Sequence, residues 1–215
     1  LSSSASLAVA LGMTLFRIAG AGADRSRIAQ LAQASEIEAV GTNCGIMDQL
    51  VSARGEAGHA LMIDCRSLDC RPVRMPGGVA IMIVHSGISR GLVEGAYNER
   101  RAQCEAVATA LGVPALRDAD MAMLNAAAER LDPMAMARAR HVITENERVI
   151  EAAGALAAGD LARMGVLMAT SHASMRDDFA ITTPAIDELV ALLQRAIGSE
   201  GGARMTGGGF GGACV

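Results

Sequence analysis

Three stretches of the chain place reactive residue types where a backbone can use them: the serine run LSSSAS at residues 1–6, the segment GTNCGIMDQ at 41–49, and the glycine run 207–212, broken only by Phe210. The serines precede Leu7, Leu11, Leu15 and Ile18, apolar positions three or four apart, so they stand at the start of an amphipathic helix. Unpaired N–H groups and a partial positive charge at such a start suit two roles. Small hydroxylated residues there accept a phosphate and lend hydroxyls to phosphate or metal, or they only cap the helix. Asp48 lies in the first turns of a new helical pattern formed by Ile46, Met47, Leu50 and Val51. It follows two glycines that permit close backbone approach, so its carboxylate is either a general base or an electrostatic cap. The run Gly207 to Gly212 formally satisfies GxGxxG. No apolar strand precedes it and no helical pattern follows, so a loop against an anion or another backbone fits better than a dinucleotide fingerprint.

Composition removes several alternatives. The chain has 215 residues, and all 19 of its basic residues are arginine. A Walker A lysine, the strand lysine of protein kinases and a Schiff-base amine are therefore unavailable. Cys44, Cys65, Cys70, Cys104 and Cys214 are odd in number and lack CxxC spacing, which argues against a disulfide framework or a zinc cage and for a reducing cytoplasm. His59, His85, His141 and His172 are scattered without HExxH spacing, as core or surface histidines are. A formal charge of −4 and 2% aromatic content oppose a nucleic-acid footprint. The longest strongly apolar stretch, Leu7 to Phe16, falls short of the ~18 residues of a membrane span, and no signal-peptide pattern is visible, so a soluble protein is expected.

The elements that must position these residues follow from periodicity and punctuation. Helices are expected over Arg25 to about Glu38, Gly91 to Leu111, Pro133 to Leu156, Asp160 to Ser174 and Pro184 to Ile197. Strands are expected over His59 to Cys65 and Val79 to Val84, the latter an unbroken apolar run of six. The loop between them, carrying Pro72 and Pro76, is the expected domain boundary. The glycine run lies between two short extended pieces. Leu1 in place of an initiator Met, and an end at Val215 inside a starting strand, suggest a piece of a longer chain.

Taken in order, LSSSAS, GTNCGIMDQLVSARGEAGHALMIDCRSL, AYNERRAQCE, HVITENERV, SHASMRDDF and RMTGGGFGG resemble the galactokinase family of the GHMP small-molecule kinase superfamily over the whole chain. The resemblance implies an α+β, two-domain fold truncated at both ends. Its ribosomal-protein-like N-terminal, ATP-binding part would occupy residues 1–75, and its ferredoxin-like C-terminal part 76–215. It implies a phosphate loop that works without a Walker A lysine, and transfer of the γ-phosphoryl group of Mg-ATP to the anomeric hydroxyl of galactose. By the same resemblance Ser2 and Ser3 would lie against the ATP phosphates and Ser4 and Glu36 would serve Mg²⁺. Asp48 would be the general base, Gly45 and Tyr97 would meet the sugar, and Gly207, Gly208, Gly209, Gly211 and Gly212 would shape the active site. The expected partners are ATP and galactose, in a cytoplasmic monomer without nucleic-acid or membrane partners. His85 stands where the family commonly has Asn, and Gly95-Ala96 where it has Ser-Glu before Tyr97. The family's N-terminal sugar-gripping signature would lie upstream of Leu1. The rival readings are a kinase for a related sugar such as N-acetylgalactosamine and a non-catalytic galactose-sensing paralogue.

Overall fold

A computed structural model describes residues 2–22, 24–40, 44–88 and 93–215, with the side chains of Val40, Val93, Glu94 and Tyr97 outside the description. The chain divides into two compact units, Leu1–Met75 and Pro76–Val215, each mixing helices with strands.

The first unit packs helices α1 (Ser3–Ile18), α2 (Arg25–Val40) and α3 (Met47–Arg54) together and follows them with an antiparallel hairpin, β1 (His59–Ile63) and β2 (Cys70–Arg74). Its core is Val9, Ile28, Ala29, Ala32, Ile46, Leu50 and Ala53. The leucine stripe that marks α1 as amphipathic is not the face it buries within this unit. Leu7 and Ile18 are 72% and 78% exposed, while Ala5 and Val9 are buried. The physical reason is close approach: a Cβ built on Gly12 would stand 3.0 Å from the Ile28 side chain, so small residues let α1 lie tightly on α2.

Pro72, read from sequence as part of a linker, is instead the middle residue of β2, opposite Leu61. Hydrogen bonds from Asp64 N to Asp69 O and from Met75 N to Gly58 O fix which pairs exchange bonds. The Leu61–Pro72 pair falls between them, in a non-hydrogen-bonded position, so the missing N–H of proline costs the hairpin no bond.

The second unit contains β3 (Val84–His85), α4 (Val93–Leu111), α5 (Met121–Ala126), α6 (Pro133–Ala158), α7 (Leu161–Asp177), α8 (Pro184–Ile197), β4 (Met205–Thr206) and β5 (Ala213–Cys214). Helix starts are written locally. Asp120, Asp132, Asp160 and Thr183 accept hydrogen bonds from the third residue of α5, α6, α7 and α8, and proline opens α6 and α8. Gly159, at φ 71°, ends α6. One core joins Val107, Leu116, Leu124, Ala139 and Ile143, and another joins Met175, Ile181, Ile186, Val190, Met205 and Cys214. The strands form an antiparallel sheet in the order β3-β5-β4. The apolar run 79–84 is a strand only at its last residue, and Ile81, Met82 and Ile83 are exposed. High β-propensity without a pairing partner does not make a strand.

Candidate functional site

In the first unit the starts of α1 and α3 carry the expected serines and Asp48, and Glu36 lies within α2. Ser2 is the N-cap of α1, in the left-handed region at φ 48°, and its side chain makes no cap bond. Ser2, Ser3 and Ser4 are exposed, so their hydroxyls are not consumed by the helix they begin. Two residues on, Ser6 Oγ lies 3.2 Å from Ser52 Oγ. Ser52 is four residues after Asp48 and shares its face of α3. The serine end of α1 and the Asp48 side of α3 therefore touch.

Asp48 is half-buried in the first turn of α3, where the helix dipole favours a carboxylate. Its neighbour Gln49, 1% exposed, donates from Nε2 to the Glu36 carboxylate on α2, and the same nitrogen lies 3.9 Å from Cys44 Sγ. Gln33 donates to the Cys44 carbonyl at 2.9 Å, securing the approach to α3. Glu36 is thus tied to the residue that follows Asp48. Gly45 is exposed, and a Cβ built on it meets no protein atom within 4 Å, so no protein neighbour demands a glycine there. Gly41, Thr42 and Asn43 of the same motif lie outside the described residues.

Among the described residues, no three His, Cys, Asp or Glu side chains gather into a metal-binding group. The residues expected from sequence to serve a metal, Glu36 and Ser4, offer hard oxygens, the donor type that suits Mg²⁺ with waters and substrate phosphates and does not suit zinc.

In the second unit the glycine run is the tip of the β4–β5 hairpin. Gly207, Gly209, Gly211, Gly212 and Phe210 all have positive φ. Gly209 cannot be replaced without displacement: a Cβ there would lie 2.6 Å from the Ile181 carbonyl oxygen. Phe210 N donates to that same oxygen at 2.6 Å. On the other side the Gly212 carbonyl accepts from Ser86 N at 2.9 Å and Ser86 Oγ at 2.7 Å, and Gly212 N donates to Ile88 O at 3.3 Å. His85 Nδ1 accepts from Gly87 N at 2.9 Å. A side-chain acceptor two residues before an N–H is a role Asn also plays, so the ring fills the place of an amide in this turn.

A cavity of about 310 Å³ lies between α4 and this loop, lined by Arg100, Arg101, Phe179, Ile181, Gly207 and Gly208. Tyr97 sits in α4 one turn before Arg100 and Arg101, but its side chain lies outside the described residues. Arg100 Nε donates to the Phe179 carbonyl at 2.9 Å. The segment 178–181 is held further by Arg138, which donates to the Asp178 carbonyl, and by Arg140, 2.8 Å from the Asp178 carboxylate. The His141 ring packs on Phe179 with centroids 4.6 Å apart. Burial pushes the His141 pKa down to about 4, so it is neutral at physiological pH. Burial likewise raises the Cys104 thiol to about 11, which leaves it inert.

Sequence reasoning passed over Gln49, Gln33, Ser86, Ile181 and the arginines of the cavity. The signal for Gln49 was its position beside Asp48; the others act across long sequence separations and leave no local pattern.

Comparison with known proteins agrees over both units. Residues 1–56 match the model of the GHMP kinases N-terminal domain, and residues 152–215 match that of the GHMP kinases C-terminal domain. A solved structure of Lactococcus lactis galactokinase complexed with galactose superimposes with a TM-score of 0.88 at 34% identity, covering 100% of this chain and 56% of that one. The chain thus spans little more than half the length of that relative. With both domain models matched in order and a structural likeness over its entire length, the chain belongs to the GHMP kinases.

Proposed function

We propose that the protein carrying this chain is a galactokinase, transferring the γ-phosphoryl group of ATP to the anomeric hydroxyl of galactose. The observation that carries the reading is that the serine start of α1 touches α3, which carries Asp48, and that α3 is bonded in turn to Glu36 of α2. Ser6 bonds to Ser52 on the Asp48 face of α3, and Gln49 reaches from beside Asp48 to Glu36. A phosphate-binding helix start, a base and a metal-serving acid are thus joined in one unit. The 34% identity to an enzyme crystallised with galactose supports the choice of sugar.

In this reading Asp48 takes the proton of the anomeric hydroxyl as its oxygen bonds to the γ-phosphorus. The bond from that phosphorus to the β–γ bridging oxygen breaks, releasing ADP. Because phosphoryl transfer is loose, orienting the hydroxyl matters as much as removing its proton. Ser2 and Ser3 and the free N–H groups of the α1 start hold the phosphates. Ser4 and Glu36 would hold Mg²⁺, which when bound neutralises charge on the phosphate oxygens. Gly45 admits the sugar close to the backbone and Tyr97 offers it a ring with a polar tip. The glycine loop shapes the site. Residues 1–75 belong to the ATP-binding domain and 76–215 to the C-terminal domain of a cytoplasmic, monomeric enzyme.

The test is turnover of galactose, N-acetylgalactosamine and arabinose with Mg-ATP by the whole protein. Galactose phosphorylated at C1 is the expected result. Turnover of the other sugars but not galactose would reassign the substrate, and galactose binding without turnover would mark a sensor.

A further inference from the structure

The base of the glycine hairpin is fastened by a cluster of charged and polar groups that the proposed reaction does not use. Arg204, the residue before β4, donates from Nη1 to Glu145 Oε1 on α6 at 2.8 Å and to Ser171 Oγ on α7 at 2.7 Å. Its Nε donates to Met205 O at 3.1 Å. Ser171 Oγ donates to the same Glu145 oxygen at 2.6 Å, and Arg148 Nε donates to the other at 2.7 Å. Burial raises the Glu145 pKa, but the hydrogen bonds from Ser171 and Arg148 and the charges of Arg204 and Arg148 outweigh it, so Glu145 stays ionised. One residue on, Met205 N donates to Nδ1 of the buried His172 at 3.4 Å, and His172 Nε2 lies 3.1 Å from Asp187.

The tip between β4 and β5 contains five glycines. Glycine brings maximal backbone freedom, so contacts from outside the loop must fix such a tip. The Arg204–Val215 backbone pair, bonded both ways at 2.9 Å, closes the base of the hairpin. The Arg204 side chain bolts that base to α6 and α7. Part-buried ion pairs of this kind add little net stability, because desolvation offsets their attraction, and their use is to select one geometry.

We propose that Arg204, through Glu145 and Ser171, is the positioning residue of the glycine loop, fixing Gly207–Gly212 in place for phosphoryl transfer. The proposal rests on the galactokinase reading for its catalytic consequence and on the geometry alone for its structural one. The test uses the whole protein with Arg204→Met. This variant removes the bolt and leaves Glu145 accepting from Ser171 and ion-paired with Arg148.

The expected result is amide exchange accelerated about tenfold or more over residues 205–212, with α6 and α7 unchanged. Thermal unfolding should stay within roughly 5 °C of the parent. The kcat should fall about tenfold or more while KM for ATP and sugar stays within about threefold. Arg204→Lys, which keeps a charge toward Glu145, should recover most of the turnover. A folded Arg204→Met variant with parental exchange over 205–212 overturns the proposal. A parent protein that phosphorylates no sugar defeats the galactokinase reading instead, and leaves the exchange result standing.

Discussion

The two units hold their functional residues in opposite ways. In the first, the serine run and Asp48 sit at helix starts, and few side-chain bonds join them: Ser6 to Ser52, Gln49 to Glu36, Gln33 to the Cys44 carbonyl. In the second, the glycine loop is held on both flanks by backbone bonds and at its base by a part-buried arginine bonded to a carboxylate on α6 and a hydroxyl on α7. Helix starts need little support, because their free N–H groups and dipole exist in any well-formed helix. A glycine loop has no preferred shape of its own, so distant parts of the chain must supply one. Substitutions at the first unit's reactive groups should therefore act on chemistry directly, while those around the loop should act by loosening or displacing the loop.

Four experiments would break or sharpen that contrast. The largest effect is expected from Asp48→Asn in the whole protein. Turnover should fall about 10²–10⁴-fold, the range for a lost general base, with ATP binding and thermal unfolding unchanged. Near-normal kcat would remove Asp48 from the chemistry. Gly209→Ala should do the reverse and cost about 2–4 kcal/mol of stability, because it combines strain at φ 88° with a Cβ 2.6 Å from the Ile181 carbonyl. Chemical denaturation measures it, and an unchanged midpoint would show that the loop is looser than its contacts imply.

A third effect is pH-dependent and belongs to the second unit. Burial holds His141 at about 4 against an ordinary 6.5, while Glu145, Arg148, Asp178 and Arg204 face it. Between those values the unfolded chain binds a proton that the folded one does not. Stability is therefore full above pH 6.5 and declines as pH falls through 4, by on the order of 2–3 kcal/mol. Denaturation of the parent and of His141→Gln at pH 7 and pH 4.5 reads this, and equal slopes for the two would exclude His141 as the cause. The smallest effect on folding is expected from Gly45→Ala, within about 0.5 kcal/mol, since the added methyl meets no protein atom. If Gly45 faces the sugar, KM for galactose should nevertheless rise several-fold; an unchanged KM would separate this glycine from the sugar site.

How much of this was legible in the sequence depended on whether a residue acts locally. Helix starts at Pro133 and Pro184 were readable because the cap, the proline and the apolar period sit within a few residues. The serine run and Asp48 were readable only as alternatives: spacing left each a capping role beside a chemical one, and the resemblance to a family is what favours the chemical one. The strand expected over 79–84 failed because pairing depends on β5, some 130 residues later, which meets only Val84 and His85. The leucine stripe of α1 marks a helix, and within the first unit the face it buries is set by its close approach to α2 at Gly12 as well as by that pattern. Arg204, Glu145 and Ser171 come from three separate elements, and no window of sequence contains them all.

Pro72 has a consequence for how this hairpin can associate. Its ring nitrogen points away from β1, toward the margin where an incoming strand would seek a donor. Any chain laid along that margin would find a break in the row of N–H groups midway, whereas the opposite margin, on β1, has no such gap. The proline therefore gives a symmetric-looking ribbon a preferred side for growth, and guards the other against adhesion to stray polypeptide.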